Sequence, residues 1–199
     1  MMMKNILVAF VCLLFVKTAC AQKDSLAFDE HDKYIYYQTV SKPGLSADSL
    51  YNRGLYFIKT AYPKSKLTVV TADKTEGVIT GKGSFLVSKK AFITTHEDGA
   101  ISFSLRIEVK DSKYRYWFTD FVYTPYQRNR YNVYEPVPGV TIPMEHAQGK
   151  IDKDDFAVYL DKILLNSKQI GGTLKAYMLK TSALPQEVKK VKKISTKDW

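Results

Sequence analysis

Three histidines, His31, His96 and His146, are the first residues to weigh for acid–base or metal chemistry, and their spacing supports neither. They stand far apart, with no HExxH or similar pair that would bring two imidazoles to one ion or one reacting group. His96-Glu97-Asp98-Gly99 reads as a solvated turn between strands, and a zinc-dependent thermal shift is what a metal held by His96 and Glu97 would give. Gly81-Lys82-Gly83 invites comparison with a phosphate loop, but that loop needs a longer spacing and a helix directly after it. Glycines inside a strand instead mark a bulge or a close backbone approach. No serine stands in a nucleophile-elbow context. These residues predict no catalytic residue, no metal site and no cofactor, and hence a non-enzymatic protein.

What the sequence does offer is aromatic and basic surface. Ile101, Phe103, Leu105, Ile107 and Val109 alternate with Ser102, Ser104, Arg106, Glu108 and Lys110, the period of a strand with one buried face. With Asp111-Ser112 as a two-residue turn, the partner strand runs from Lys113 to Tyr123. Val109 then faces Tyr114, Ile107 faces Tyr116 and Leu105 faces Phe118 on the core side. On the other side Glu108 meets Arg115, and Arg106 lies beside Trp117 for cation–π stacking. Continued without interruption, this register sets Asp120 opposite Phe103 on the apolar side, where a carboxylate either bonds to backbone at the sheet's end or has a raised pKa and a function. It also leaves Trp117, Phe121 and Tyr123 on the outer face. Beyond them Tyr126, Arg128 and Tyr131 stand among Pro125, Pro136, Pro138 and Pro143, a density of prolines that argues against a central strand. This Tyr/Pro segment is either a binding loop or a flap over the outer face. Trp117, Phe121, Tyr123, Tyr126, Arg128 and Tyr131 are therefore the candidate binding residues.

These side chains need a scaffold, and the remaining sequence supplies one. Tyr34 to Val40 is a β-branched and aromatic strand ended by Lys42-Pro43-Gly44. Ser46 is a candidate N-cap for a helix reaching Tyr62, with Leu50, Gly54, Phe57, Ile58 and Ala61 at helical spacing and Pro63 as its stop. Leu67 to Thr71, the turn Asp73 to Gly77, and Val78 to Val87 form two further strands. Asp152 caps a final helix whose Phe156, Leu160, Ile163, Ser167, Ile170, Leu174 and Tyr177 recur as a heptad stripe, with Gly171-Gly172 set to bend or break it. That stripe predicts a helix laid on the apolar sheet face, or a dimerising coiled coil.

The N-terminus predicts export. Lys4 precedes an apolar run, Ile6 to Val16, too short to span a bilayer, and Ala19-Cys20-Ala21 has the small-x-small pattern of signal cleavage after Ala21. The alternative is a lipoprotein anchored at Cys20, for which Lys17 departs from the usual aliphatic residue. Because Cys12 and Cys20 are the only cysteines, cleavage after Ala21 leaves about 178 residues with no disulfide, Cys-based zinc site or Cys nucleophile. That length suits one core. The net charge of +10 falls to +8 with the loss of Lys4 and Lys17. Much of it crowds into Lys189, Lys190, Lys192, Lys193 and Lys197, a solvated tail or a patch for anionic surfaces. The organisation expected is a signal peptide 1–21, a polar leader 22–33, one domain 34–182 and a basic tail 183–199. Within that domain, 127–150 is the Tyr/Pro loop and 152–182 the final helix.

Leu50-Tyr51-Asn52-Arg53-Gly54 with Phe57 and Ile58, the strand Gly77 to Gly83, and Ile107 to Tyr116 leading to Thr119-Asp120 resemble a family of exported proteins common in Bacteroidota, whose domain is described as having a TATA-binding-protein-like fold. The resemblance runs from about Tyr34 to Tyr126. It implies an α+β fold, a curved antiparallel sheet of about five strands with two helices on one face. It carries no catalytic or ligand residues, and a fold label does not imply DNA binding. The function expected is an exported binding or interaction module of the periplasm or cell envelope, acting on an envelope protein or ligand and not on nucleic acid, as a monomer or weak dimer. The alternatives are an envelope enzyme, or a structural protein in peripheral contact with anionic lipid through its basic tail.

Overall fold

A computed structural model describes residues 26–60, 67–91 and 94–180. The expected signal peptide with Cys20, the expected basic tail, and the expected end of the first helix at Ala61 to Pro63 lie outside the described residues.

Five long strands form the sheet: β2 (Tyr34–Ser41), β3 (Thr68–Asp73), β4 (Val78–Ala91), β5 (Thr94–Lys110) and β6 (Lys113–Arg128). Their spatial order is β2-β6-β5-β4-β3, with every pair antiparallel. Three short strands extend it: β1 (Ala27–Phe28), inside the expected polar leader, pairs with β2, while β7 (Tyr134–Pro136) and β8 (Ile142–Pro143) pair with β6. The Tyr/Pro segment is thus not irregular throughout. β6 continues through Pro125 to Arg128, because Pro125 lies near the strand's end, where its carbonyl still accepts from Val137 N at 2.9 Å and no central ladder needs its missing N–H.

The hairpin register follows the alternation, with Val109 opposite Tyr114, Ile107 opposite Tyr116 and Leu105 opposite Phe118. It slips beyond Phe103, where Ser104 faces Thr119 but Ser102 faces Val122. One extra residue is accommodated in β6 by Asp120 at φ 54, so the side chains after it change faces. Phe121 and Tyr123, expected on the outer face, are consequently core residues. A second bulge in β5 makes Asp98 the extra residue between Val87–Gly99 and Ser88–Glu97. The expected turn at His96 to Gly99 is therefore strand.

Helix α1 (Ala47–Thr60) begins where Ser46 Oγ accepts from Ser49 N, and α2 (Lys153–Leu179) where Asp152 accepts from Asp154 N at 3.0 Å. Both helices cover the apolar sheet face, in a core that joins Leu50, Phe57 and Ile58 of α1 to Ile79, Leu105, Ile107 and Phe118 of the sheet and Ile163, Leu174 and Met178 of α2. The buried Arg53 donates to Met178 O at 2.9 Å, tying α1 to the last turn of α2, where carbonyls lack intrahelical partners.

Gly171-Gly172 does not break α2; the helix is continuous through both. A Cβ on Gly171 would come within 2.4 Å of Tyr116 Oη and 2.9 Å of its ring, whereas nothing lies within 4 Å of one on Gly172. The neighbouring substitutions have opposite signs. Gly172→Ala should stabilise by about 0.5–1 kcal/mol through helix propensity. Gly171→Ala should cost about 1–3 kcal/mol because overpacking against the buried Tyr116 outweighs the same gain. Urea unfolding of the two variants reads both signs.

Candidate functional site

With both helices on one side, the outer side of the sheet is left to polar, charged and aromatic residues. Thr80, Arg106, Trp117 and Tyr37 stand in one cross-strand row from β4 to β2. Glu108, Arg115 and Thr39 form the adjacent row. Glu108 accepts from Arg106 Nε at 2.8 Å through one carboxylate oxygen and from Arg115 Nε at 2.7 Å through the other. Both guanidiniums also lie against the Trp117 ring, at 5.6 and 5.5 Å from its centroid, and Tyr37 meets that ring at 6.1 Å. Burial alone would raise the Glu108 carboxyl, but the two guanidinium bonds outweigh it and hold the group below its usual range. Bonds from Thr39 and Arg115 likewise pull the Tyr37 phenol down.

Each planar group in this cluster is therefore oriented by another. The cluster opens onto two concavities of about 390 and 270 Å³. The larger is lined by Asp29, Glu30, Arg106 and Trp117, the smaller by Thr39, Lys110 and Lys113, and both by Tyr37, Glu108 and Arg115. What the arrangement can do chemically is hold planar or anionic groups by guanidinium and hydroxyl donors.

The six candidate binding residues are not brought together. Trp117 is in this cluster, Phe121 and Tyr123 are inside the core, and Tyr126, Arg128 and Tyr131 lie toward the β6–β7 hairpin. A strand rises about 3.3 Å per residue, so Arg128 is roughly 35 Å along β6 from Trp117. Tyr131 sits at the hairpin tip with Arg130 over its ring at 4.8 Å, where Asn129 Oδ1 accepts from Tyr131 N and Val133 N. The Tyr/Pro segment does not line either concavity of the outer face; its Met144 and Ala147 are core residues instead.

Two clusters had no signal in the sequence beyond their residue types. In the first, Tyr123 Oη donates to Asp98 at 2.8 Å, and Tyr159 Oη donates to the same carboxylate oxygen. Burial, followed by these bonds to Asp98, raises both phenols above their ordinary value. In the second, His31 and His146, distant in sequence, line one cleft of about 430 Å³ with Lys33, Asp120 and Glu145. Asp120, placed by its bulge, is half-exposed and pairs with Lys33 at 2.5 Å, a bond that raises the Lys33 amine. Glu145 accepts from Tyr34 N at 3.0 Å. The third histidine, His96, stacks on Tyr134 at 5.2 Å. Among the described residues no three His, Cys, Asp or Glu side chains are placed to hold a metal ion, and no helix is long and apolar enough to cross a membrane.

Comparison with known proteins agrees with this architecture. Residues 36–124 match the model of a family described as a domain of unknown function (DUF4468) with TBP-like fold. No curated protein matches the chain. Two crystal structures share its fold. A TBP-like protein from Parabacteroides distasonis is 15% identical, covering 78% of this chain and 97% of its own, with a TM-score of 0.57. A DUF4468 family protein from Bacteroides ovatus is 11% identical, covering 80% and 94%, with a TM-score of 0.58. The curved antiparallel sheet with two helices on one face is the TBP-like fold, and residues 36–124 of this chain are similar to the DUF4468 domain.

Proposed function

We propose that the protein is a non-enzymatic binding module of the bacterial cell envelope, exported by the N-terminal signal, and that it binds through the outer face of its sheet. The observation that supports this is the cluster around Trp117. Two arginines share one carboxylate and one indole ring on a face that neither helix covers. Exposed ion pairs contribute little to stability, at most about 1 kcal/mol each, so folding alone gives little reason for such a network. An interface gives more reason, because interfaces enrich Arg, Trp and Tyr and benefit from donors held in fixed orientations.

Trp117→Ala should leave the unfolding transition within about 1 kcal/mol of the parent, since the ring is only half-buried. The same variant should lose retention of envelope material when the full chain is immobilised and exposed to envelope extract. Unchanged retention by a folded Trp117→Ala variant sinks the reading.

One observation favours an enzyme instead, the meeting of His31, His146, Asp120 and Glu145 at one cleft. Turnover of any envelope substrate that His146→Ala abolishes would support that alternative.

A further inference from the structure

The outer face has a charge asymmetry that narrows its ligand. Outward positions of β4 from Val78 to Leu86, of β5 from Ala100 to Lys110 and of β6 from Lys113 to Thr119 carry Lys82, Arg106, Lys110, Lys113 and Arg115, against Glu108 as their one acid. Four positive charges are in excess over these positions, while the concavities themselves are lined by Arg106, Arg115, Lys110 and Lys113 with Glu108, Asp29 and Glu30, the two lysines lying at the end away from Asp29 and Glu30. The two concavities share Tyr37, Glu108 and Arg115 and so form one groove along the strands, from the level of Trp117 to that of Lys110 and Lys113. Thr39, Thr80 and Ser104 place hydroxyl groups among these cations.

We infer that this groove binds a linear acidic polysaccharide, with guanidinium and ammonium groups on its carboxylates and the Thr39 and Ser104 hydroxyl oxygens accepting from its hydroxyl groups. The inference rests on the proposed use of the outer face and names its ligand class. Three features select a polyanionic glycan chain. Asp29 and Glu30 line the groove beside Arg106 and Arg115, so a planar anionic bilayer would face carboxylates together with the guanidiniums. Single-stranded nucleic acid binds largely by stacking bases on open aromatic faces. Here Trp117 is already engaged by two guanidiniums and Tyr37. A flexible chain of charged, hydroxylated rings needs only cations spaced along a groove with hydroxyl oxygens among them. Glu108 fixes both guanidinium planes, so the donors are set before the ligand arrives.

The test is calorimetric titration of the full chain with four probes: alginate, neutral dextran, phosphatidylglycerol vesicles and single-stranded DNA. Alginate should bind at low salt, weaken steadily as salt rises and exceed the other three probes. The triple variant Lys82→Gln, Lys110→Gln, Lys113→Gln leaves the Trp117 cluster intact and should weaken alginate binding on the order of tenfold with an unchanged unfolding transition. Silence toward alginate, or tighter binding of vesicles, DNA or dextran, overturns the ligand class. Alginate binding unaltered both in that variant and in Arg106→Gln with Arg115→Gln overturns the site, because another basic segment must then hold the polymer. If alginate is silent while Trp117→Ala still abolishes envelope retention, only the ligand class falls. If both experiments fail, the binding face falls with it.

Discussion

Asp98→Ala should destabilise the protein by about 2–4 kcal/mol, although the residue it removes is a strand aspartate bonded by two neutral hydroxyls. The carboxylate enters the structure because the β5 bulge makes Asp98 the unpaired residue between the Val87–Gly99 and Ser88–Glu97 pairs. It accepts from the hydroxyls of Tyr123 and Tyr159, and both tyrosines are buried. Removing it strands the Tyr159 O–H away from water and takes from Tyr123 its charged acceptor, leaving that proton to Asp98 O at 2.9 Å; each bond to the carboxylate is worth roughly 1–3 kcal/mol. Asp98→Asn keeps an acceptor and should cost less than half as much. Placing Tyr159→Phe on the Asp98→Ala background should recover part of the loss, because the stranded hydroxyl is then gone. Urea denaturation of the parent, Asp98→Ala, Tyr159→Phe and the double variant measures the cycle, and a cost below about 1 kcal/mol for Asp98→Ala would show that the bond contributes no net stability.

The second large effect is in the helix layer. Ile163 is fully buried, in the same core as Leu105, Ile107 and Phe118. Ile163→Ala should cost about 2–5 kcal/mol, the sum of lost transfer energy and the cavity left in a core closed by two helices. Leu165, two residues on and 64% exposed, is the control, and Leu165→Ala should change stability by no more than about 0.5 kcal/mol. Chemical denaturation at two protein concentrations decides between packing on the sheet and a dimerising stripe. A midpoint that moves with concentration would defeat the first.

Much of this was legible in the sequence, and the failures have a common cause. Period-two alternation through Ile101 to Tyr116 was enough to set the register of β5 against β6, including the Glu108–Arg115 and Arg106–Trp117 pairs. Alternation says nothing of where a residue is inserted, however. The bulges at Asp98 and Asp120 exchange the faces beyond them, and so Phe121 and Tyr123 pass from the expected outer surface into the core. Neither bulge carries glycine at its extra residue, so no residue type announces it. The α2 stripe was right at its centre, where Ile163, Ser167, Ile170 and Leu174 are all buried. It drifts at the ends, where Tyr159 and Met178 take the buried positions and Phe156, Leu160 and Tyr177 are only partly covered. A straight helix turns about 20° per heptad away from a strict seven-residue repeat, which accounts for that drift. Tyr37 was invisible as a member of the outer cluster because its neighbours come from strands β5 and β6, far along the chain.

The strand order also determines when each part of the sheet can form. β3, β4, β5 and β6 are joined in sequence, so each pairing closes only a short loop, with two residues between Lys110 and Lys113 and two between Ala91 and Thr94. β2 is the exception: its nearest pairing, Ser41 with Lys113, closes 72 residues of chain and every later pair closes more. Loop-closure entropy makes that pairing unfavourable until β6 is already fixed against β5. The four-strand meander should therefore make up the folding transition state, and β2, together with the row it contributes to the outer face, should dock afterwards. Substitutions at Val40 should accelerate unfolding with little change in the folding rate, while substitutions at Ile107 should slow folding. The Tyr37 side of the outer-face groove should thus be the last part of the sheet to be completed and the first to be lost.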